Sequence, residues 1–188
     1  MQAFFISLGV VAIGEIGDKT QLLALLLAAR FRKPVPIILG ILVATLANHA
    51  LAGAAGAWVR SVVEPDYLRW GLGALFIAVA IWALVPDKMD DDEARTTGRF
   101  GVFGITVVAF FLAEISDKTQ VATAMLAARF DSLWAVVAGT TAGMMLVDAP
   151  TVWLGKAAAS KLPLKLIRYV AAGIFAALGV AALLGIGG

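Results

Sequence analysis

Long apolar stretches separated by short polar segments run along the whole chain. A helix that crosses a bilayer needs about 20 mostly apolar residues. Six stretches are long enough, at residues 4–28, 35–59, 68–85, 101–128, 132–155 and 166–186. The strands of a membrane barrel would alternate polar and apolar residues over about ten positions, whereas these stretches are uniformly apolar. The pattern therefore predicts an all-α membrane protein with six transmembrane helices.

The composition supports a lipid bilayer as the surroundings of this chain. Hydrophobic residues make up 61% of the 188 positions and charged residues 15%, against about 45–50% and about 25% in soluble domains. A chain of this length cannot bury so much apolar surface in one soluble core. The sequence contains no cysteine, which excludes thiolate metal sites, disulfides and thiol catalysis. The net charge of +2 is small and the basic residues lie in loops, so a nucleic-acid partner is not expected.

The basic residues also predict how the chain is oriented in the membrane. With six spans, one side carries only Arg60, Arg69 and Arg129. The loops and span ends on the other side carry the remaining basic residues apart from the two motif lysines: Arg30, Arg32, Lys33, Lys88, Arg95, Arg99, Lys156, Lys161, Lys165 and Arg168. Cytoplasmic loops are enriched in Lys and Arg. This second side is therefore expected to be cytoplasmic, with both termini extracytoplasmic.

An internal repeat divides the chain into two halves. Residues 15–21, with the sequence EIGDKTQ, recur 99 positions later as residues 114–120, EISDKTQ. Each half holds three predicted spans, and an odd number makes the second half enter the membrane from the opposite side. We expect two inverted three-helix repeats, 1–86 and 100–188, joined by an acidic cytoplasmic linker at 87–99, for which a metal-sensing role is the alternative. Inverted repeats are common in secondary transporters, whose site lies near the midplane between the repeats.

Each copy of the repeated segment places two acidic residues near the middle of a span, Glu15 with Asp18 and Glu114 with Asp117. Charge at this depth costs at least about 2.5–3.5 kcal/mol per residue and is usually functional. The three-residue spacing predicts that both acids of one copy lie on one face of a helix, and inverted symmetry would then bring the four carboxylates together. The polar residues beside them are candidate neutral donors, with a packing role as the alternative: Thr20, Gln21, Thr119 and Gln120. Lys19 and Lys118 are candidate charge partners, with a position away from the site as the alternative.

The predicted cluster has the chemistry of a site for a hard cation. Carboxylate oxygens suit divalent ions such as calcium, magnesium or manganese. Four carboxylates and two lysines would sum to a charge of about −2, which one divalent ion neutralises. Crowded carboxylates repel one another, so protons could replace a departing metal ion. The alternative is that each Glu–Lys pair is only a structural ion pair. Gly17 permits close helix approach or local unwinding, and Ser116 in the second copy does so less well.

Three further polar residues lie inside predicted spans. His49 is the only histidine; it follows Asn48 in the second span, and its counterpart in the repeat is Asp148 in the fifth span. Two ionisable groups at matching depth suggest a proton path or outer ligands for the metal ion. For His49, a contact between helices is the alternative interpretation.

The doubled motif at residues 15–20 and 114–119 resembles the signature Glu-x-Gly-Asp-(Lys/Arg)-(Ser/Thr) of a family of small cation–proton antiporters, the uncharacterised protein family 0016. Its eukaryotic members include Golgi manganese/calcium transporters. The resemblance covers essentially the whole chain and implies export of Mn²⁺, with Ca²⁺ as the second candidate, in exchange for protons and without a prosthetic group. It also implies that the four motif acids are the cation ligands, and it suggests a bacterial inner-membrane protein. Ser116 departs from the glycine of the family.

Other functions find less support in the sequence. An exporter of small cationic organic solutes, such as basic amino acids, would need a roomy aromatic-lined cavity, and the motif spans offer few aromatic residues besides Phe110 and Phe111. An enzyme is not expected, because the chain has one histidine and neither a His-Glu-x-x-His nor a Gly-x-Ser-x-Gly pattern. A purely structural subunit is the remaining alternative.

Overall fold

The computed structural model describes residues 1–85, 101–115, 117–154 and 164–186, which form helices and their connections and contain no strand. The predicted linker at 87–99 and Ser116 lie outside the described residues. The helices are α1 (Gln2–Glu15), α2 (Lys19–Phe31), α3 (Pro34–Val62), α4 (Pro65–Ala83), α5 (Val102–Glu114), α6 (Lys118–Arg129), α7 (Leu133–Leu154) and α8 (Leu164–Leu183). The expected all-α class is therefore confirmed for the described part of the chain.

Two of the six apolar stretches form pairs of shorter helices. The first stretch gives α1 and α2, and the fourth gives α5 and α6, with each break inside the acidic motif. Gly17 lies in the first break with a φ of 82°, a conformation that glycine adopts without the steric cost that other residues meet. The prediction that Glu15 and Asp18 share one face of a continuous helix is therefore wrong. Of the two roles foreseen for Gly17, the structure shows local unwinding.

Four of the described helices, α3, α4, α7 and α8, are long and apolar enough to cross a membrane. Helices α1 and α5 are apolar but shorter, with 14 and 13 residues. Large apolar side chains are exposed around the outside of the molecule, among them Phe5, Trp134 and Leu146. Apolar surface on this scale is unusual for a soluble monomer and suits contact with lipid.

The two halves of the chain interlock rather than pack side by side. Helix α1 packs against α7, and in the converse contact α5 packs against α3. Likewise, α2 of the first half contacts α7 of the second half, and α6 of the second half packs against α3 of the first half. The remaining extensive contacts join α3 to α7 and α4 to α8. Both motif-bearing helix pairs are thus held against the long third or seventh helix of the opposite half.

Two close contacts between helices of opposite halves are related by the sequence repeat. A Cβ added at Gly40 would lie 2.7 Å from the Cβ of Thr106, and one added at Gly139 would lie 3.0 Å from the Cβ of Ser7. Gly139 and Thr106 follow Gly40 and Ser7 by the 99 residues of the repeat. These glycines let the backbones of helices from opposite halves approach closely.

Candidate metal centre

The break between α1 and α2 is stabilised by a side chain of the motif itself. Helix α1 ends at Glu15, and the amide of Asp18 donates to the Glu15 carbonyl over 3.1 Å. The amide of Gly17 donates to Oε1 of Gln21 over 2.8 Å, and Nε2 of Gln21 donates to Oγ1 of Thr151 on α7 over 3.0 Å. Because lipid offers no hydrogen bonds, backbone groups released by a helix break must find partners inside the protein. Gln21 supplies such a partner.

The second break uses a different side chain for the same purpose. The amide of Asp117 donates to the Glu114 carbonyl over 3.0 Å. Oδ2 of Asp117 accepts from the amide of Thr119 over 3.2 Å and from its hydroxyl over 2.9 Å. Asp117 is thus the N-cap of α6, which satisfies one of the free amides at the start of that helix. Gln21 and Thr119, both foreseen as metal donors, are engaged here in holding the two breaks.

Three buried carboxylates from the two halves meet between the breaks. Glu15, Asp18 and Asp117 each offer an oxygen, and the three oxygens lie within 4.8 Å of one another. Oxygen ligands lie about 2.3–2.6 Å from Ca²⁺ and about 2.0–2.1 Å from Mg²⁺, so oxygens this close together can share one ion. The structure therefore brings three of the four predicted motif carboxylates into a common coordination range.

The fourth motif acid, Glu114, is held beside this group by helix α3. Its Oε1 lies 2.7 Å from Nε2 of His49. Its Oε2 accepts from Oγ1 of Thr45 over 3.5 Å and from Nδ2 of Asn48 over 3.4 Å. All four side chains are fully buried. His49 and Asn48, which the sequence offered as proton-path or outer-ligand candidates, thus contact a motif carboxylate directly.

Asp148 on α7 belongs to the same charged cluster. Asp148 lies close enough to Glu15 to act on it electrostatically, as do Asp18, Asp117 and Glu114. Among the described residues, neither carboxylate oxygen of Asp148 has a hydrogen-bond partner. Asp148 and His49 are counterparts in the repeat. His49 contacts Glu114, whereas Asp148 is a further acid that acts on both Glu15 and Glu114. The two halves of the site are therefore chemically different.

The two motif lysines also lie in different surroundings. Nζ of Lys118 lies 3.5 Å from Oδ1 of Asp18, and this ion pair joins the two halves in a nearly solvent-free position. Lys19, its counterpart, is partly exposed at the start of α2. Of the neutral donors, Thr20 is buried, and its hydroxyl and Oε1 of Gln120 have no hydrogen-bond partner within the described chain.

Thr45, Met144 and Thr151 contribute to the site although no charge or motif marks them in the sequence. The hydroxyl of Thr45 lies 3.0 Å from the sulfur of Met144, which is its own counterpart in the repeat. A helical spacing could have found Thr45, because it precedes Asn48 and His49 by three and four residues and therefore shares their face of α3. The same rule links Thr151 to Asp148 on α7, three residues apart.

A buried acidic cluster, held at two helix breaks in an apolar helical protein, defines the class of membrane cation transporters. A comparison with known proteins supports the same class. The chain belongs to the family described as "Divalent cation/proton antiporter GDT1", whose sequence model matches residues 3–91 and 102–186. The family relationship expected from the doubled motif is thus confirmed. The activity described for the family is exchange of a divalent cation for protons, which is neither export of organic cations nor a catalysed reaction. With its apolar helices, the chain is an integral membrane protein.

Individual relatives span most of the chain. A "Putative manganese exporter" of Vibrio cholerae serotype O1 is 51% identical over 182 residues, which cover 96% of this chain and 90% of the relative. "GDT1-like protein 3" of Oryza sativa subsp. indica is 27% identical and covers 92% of this chain and 70% of the relative. A GDT1-like protein of Synechocystis sp. is 26% identical and covers 93% of each chain. No solved structure matches the chain significantly.

Proposed function

We propose that this protein exports Mn²⁺ from the cytoplasm in exchange for protons, with Glu15, Asp18 and Asp117 as direct ligands of the ion. The observation that carries the proposal is the meeting of these three carboxylates, from both halves of the chain, within 4.8 Å. Manganese, rather than calcium, is favoured by the name of the bacterial relative that is 51% identical. The bacterial inner membrane, with both termini extracytoplasmic, is the proposed location, which the distribution of basic residues supports.

We further propose that the chain crosses the membrane six times as two inverted repeats. In this arrangement α1 with α2 forms one interrupted span, α5 with α6 forms another, and the four long helices form the rest. The exchanged contacts of Gly40 with Thr106 and of Gly139 with Ser7 support a pseudo-twofold axis between the halves. The contact between Thr45 and its counterpart Met144 fits a position on that axis. Interrupted helices at the repeat interface are a common place for ion sites in transporters.

The geometry suggests how binding and movement are linked. Asp117 reaches the cluster from the second half, whereas Glu15 and Asp18 come from the first. Rocking of one half against the other would therefore separate the ligands and release the ion. Because five acids lie close together in a nearly dry interior, their mutual repulsion must be relieved by a metal ion or by protons. Proton uptake as the metal ion leaves gives the exchange its chemical basis.

The other polar residues have supporting roles in this proposal. Glu114 and Asp148 are outer acids that come closer to the ion or accept protons as the halves move. Thr45, Asn48 and His49 position Glu114, whereas Gln21 and Thr119 hold the helix breaks. Thr20 and Gln120 are the neutral oxygens that remain available to complete the coordination of the ion.

The test is manganese tolerance of a manganese-sensitive bacterial strain that expresses the protein. Glu15→Gln and Asp117→Asn each remove a ligand charge with little change of shape, so both variants should abolish the tolerance that the unaltered protein confers. The matched controls are Glu64→Gln and Asp66→Asn, the same changes at exposed positions, which should leave tolerance unchanged. Full tolerance in either site variant, at equal protein level, would remove that residue from the proposed site.

A further inference from the structure

We propose that Lys118 is a tethered cation that competes with the transported metal ion for Asp18 and so limits how tightly the site holds metal. This inference rests on the proposed function, since it takes the acidic cluster as the metal site. It concerns the motif lysine that is buried, whereas its counterpart, Lys19, is partly exposed.

The first observation is the position of the ammonium group. Nζ of Lys118 lies 3.5 Å from Oδ1 of Asp18, and the side chains are 10% and 2% exposed. Asp18 is also one of the three acids that meet in the candidate metal centre. The lysine and the metal ion therefore use the same carboxylate group.

The second step follows from the charges and distances involved. Hard divalent cations bind carboxylate oxygens at about 2.0–2.6 Å. A metal ion on Asp18 would then lie within a few ångströms of the ammonium group if Lys118 kept its position. Repulsion between the two cations is weakly screened at a buried site. Binding of the metal ion thus requires Lys118 to withdraw, and its return helps to expel the ion.

The place of Lys118 in its helix supports a role in the site rather than in the stability of α6. It is the first residue of that helix, where the helix dipole disfavours a positive charge. Asp18, not the helix, accounts for a buried cation at this position. A small cavity of about 20 Å³, lined among others by Gly17, Asp18, Lys118 and Arg168, adjoins the ion pair. It has room for about one water molecule, and so for a small displacement of the ammonium group.

The experiment measures Mn²⁺ affinity of the purified full chain in detergent by titration calorimetry at fixed pH and ionic strength. Lys118→Gln removes the competing charge and should bind Mn²⁺ at least about tenfold more tightly than the unaltered protein. Lys118→Arg keeps the charge and can grip Asp18 with a two-pronged contact, so it should bind Mn²⁺ several-fold more weakly. Lys19→Gln, the same change at the partly exposed counterpart, should leave the affinity unchanged.

The direction of the change separates competition from a structural role. If Lys118 only fixed the packing of the two halves, Lys118→Gln would bind Mn²⁺ less tightly, and this result would overturn the proposal. Unchanged affinity in Lys118→Gln or Lys118→Arg, or equal tightening in Lys118→Gln and Lys19→Gln, would overturn it as well. Glu15→Gln is measured alongside: undiminished Mn²⁺ binding in that variant would instead contradict the proposed metal site itself.

Discussion

The amide group of Gln21 is bonded at both ends, to the backbone of Gly17 and to the hydroxyl of Thr151. The side chain therefore ties the first helix break to α7 of the opposite half. Its counterpart Gln120 lacks this arrangement, since the residue equivalent to Thr151 is Ala52. The identity of the two glutamines in the sequence thus conceals a difference in role that only the packing partner decides.

Thr151→Val tests this tie at the level of one hydroxyl group. The change keeps the shape of the side chain but leaves Nε2 of Gln21 without its acceptor, so the free energy of unfolding should fall by about 1–3 kcal/mol. Thermal unfolding in detergent measures the effect. Thr141→Val is the matched control, because the buried hydroxyl of Thr141 has no hydrogen-bond partner among the described residues. An equal loss of stability in both variants would contradict the assigned contact.

The acids of the candidate site, and Asn48 and His49 near them, stand out in the sequence, whereas which acid each partner contacts does not. Glu15, Asp18 and Asp117 are conspicuous because charge inside an apolar stretch is costly. The separation of Glu114 from these three depends on how α3 is rotated about its axis, which places Thr45, Asn48 and His49 against it. Because α3 is apolar and packs against several helices, its sequence has only a weak polar face, and the rotation of the helix cannot be read from it.

At the level of secondary structure, the helix breaks are what hydrophobicity alone could not predict. Residues 4–28 and 101–128 are each long enough for one continuous helix. The motif overrides this pattern, because Gly17 adopts a φ of 82° and polar motif side chains satisfy the freed backbone groups. Residues 15–18 therefore lie in a turn, and Glu15 and Asp18 come together across that turn instead of along a helical face.

Gly17→Ala tests whether the site needs this turn. A non-glycine residue in the left-handed region costs about 1–2 kcal/mol, and alanine also favours continuation of α1 into α2. We expect weaker Mn²⁺ binding and reduced export by this variant, measured by calorimetry and by manganese tolerance. Gly71→Ala is the control, since a Cβ there meets no atom within 4 Å in the middle of α4. Undisturbed binding in Gly17→Ala would show that the site does not depend on the left-handed conformation of this turn.

At the scale of the whole molecule, some contacts between the two halves of the chain recur at the offset of the sequence repeat. The pairs Gly40–Thr106 and Gly139–Ser7 are related by the same offset as the two motifs, so the symmetry of the sequence reappears as symmetry of contacts. The departures from symmetry were harder to foresee. His49 and Asp148 occupy equivalent positions but have opposite chemistry, and Lys118 is buried in an ion pair with Asp18, whereas Lys19 is partly exposed. Such differences fit the proposal that one site binds a metal ion and protons in turn.

Exchange of Mn²⁺ for protons is tested most directly in inside-out membrane vesicles, where the cytoplasmic face of the protein meets the bath. Uptake of Mn²⁺ and the pH of the vesicle lumen are recorded together, with an acid-inside gradient imposed or absent. The account predicts that the gradient accelerates Mn²⁺ uptake and that added Mn²⁺ makes the lumen more alkaline, both only when the protein is present. Uptake that ignores the gradient and leaves the pH of the lumen unchanged would contradict it.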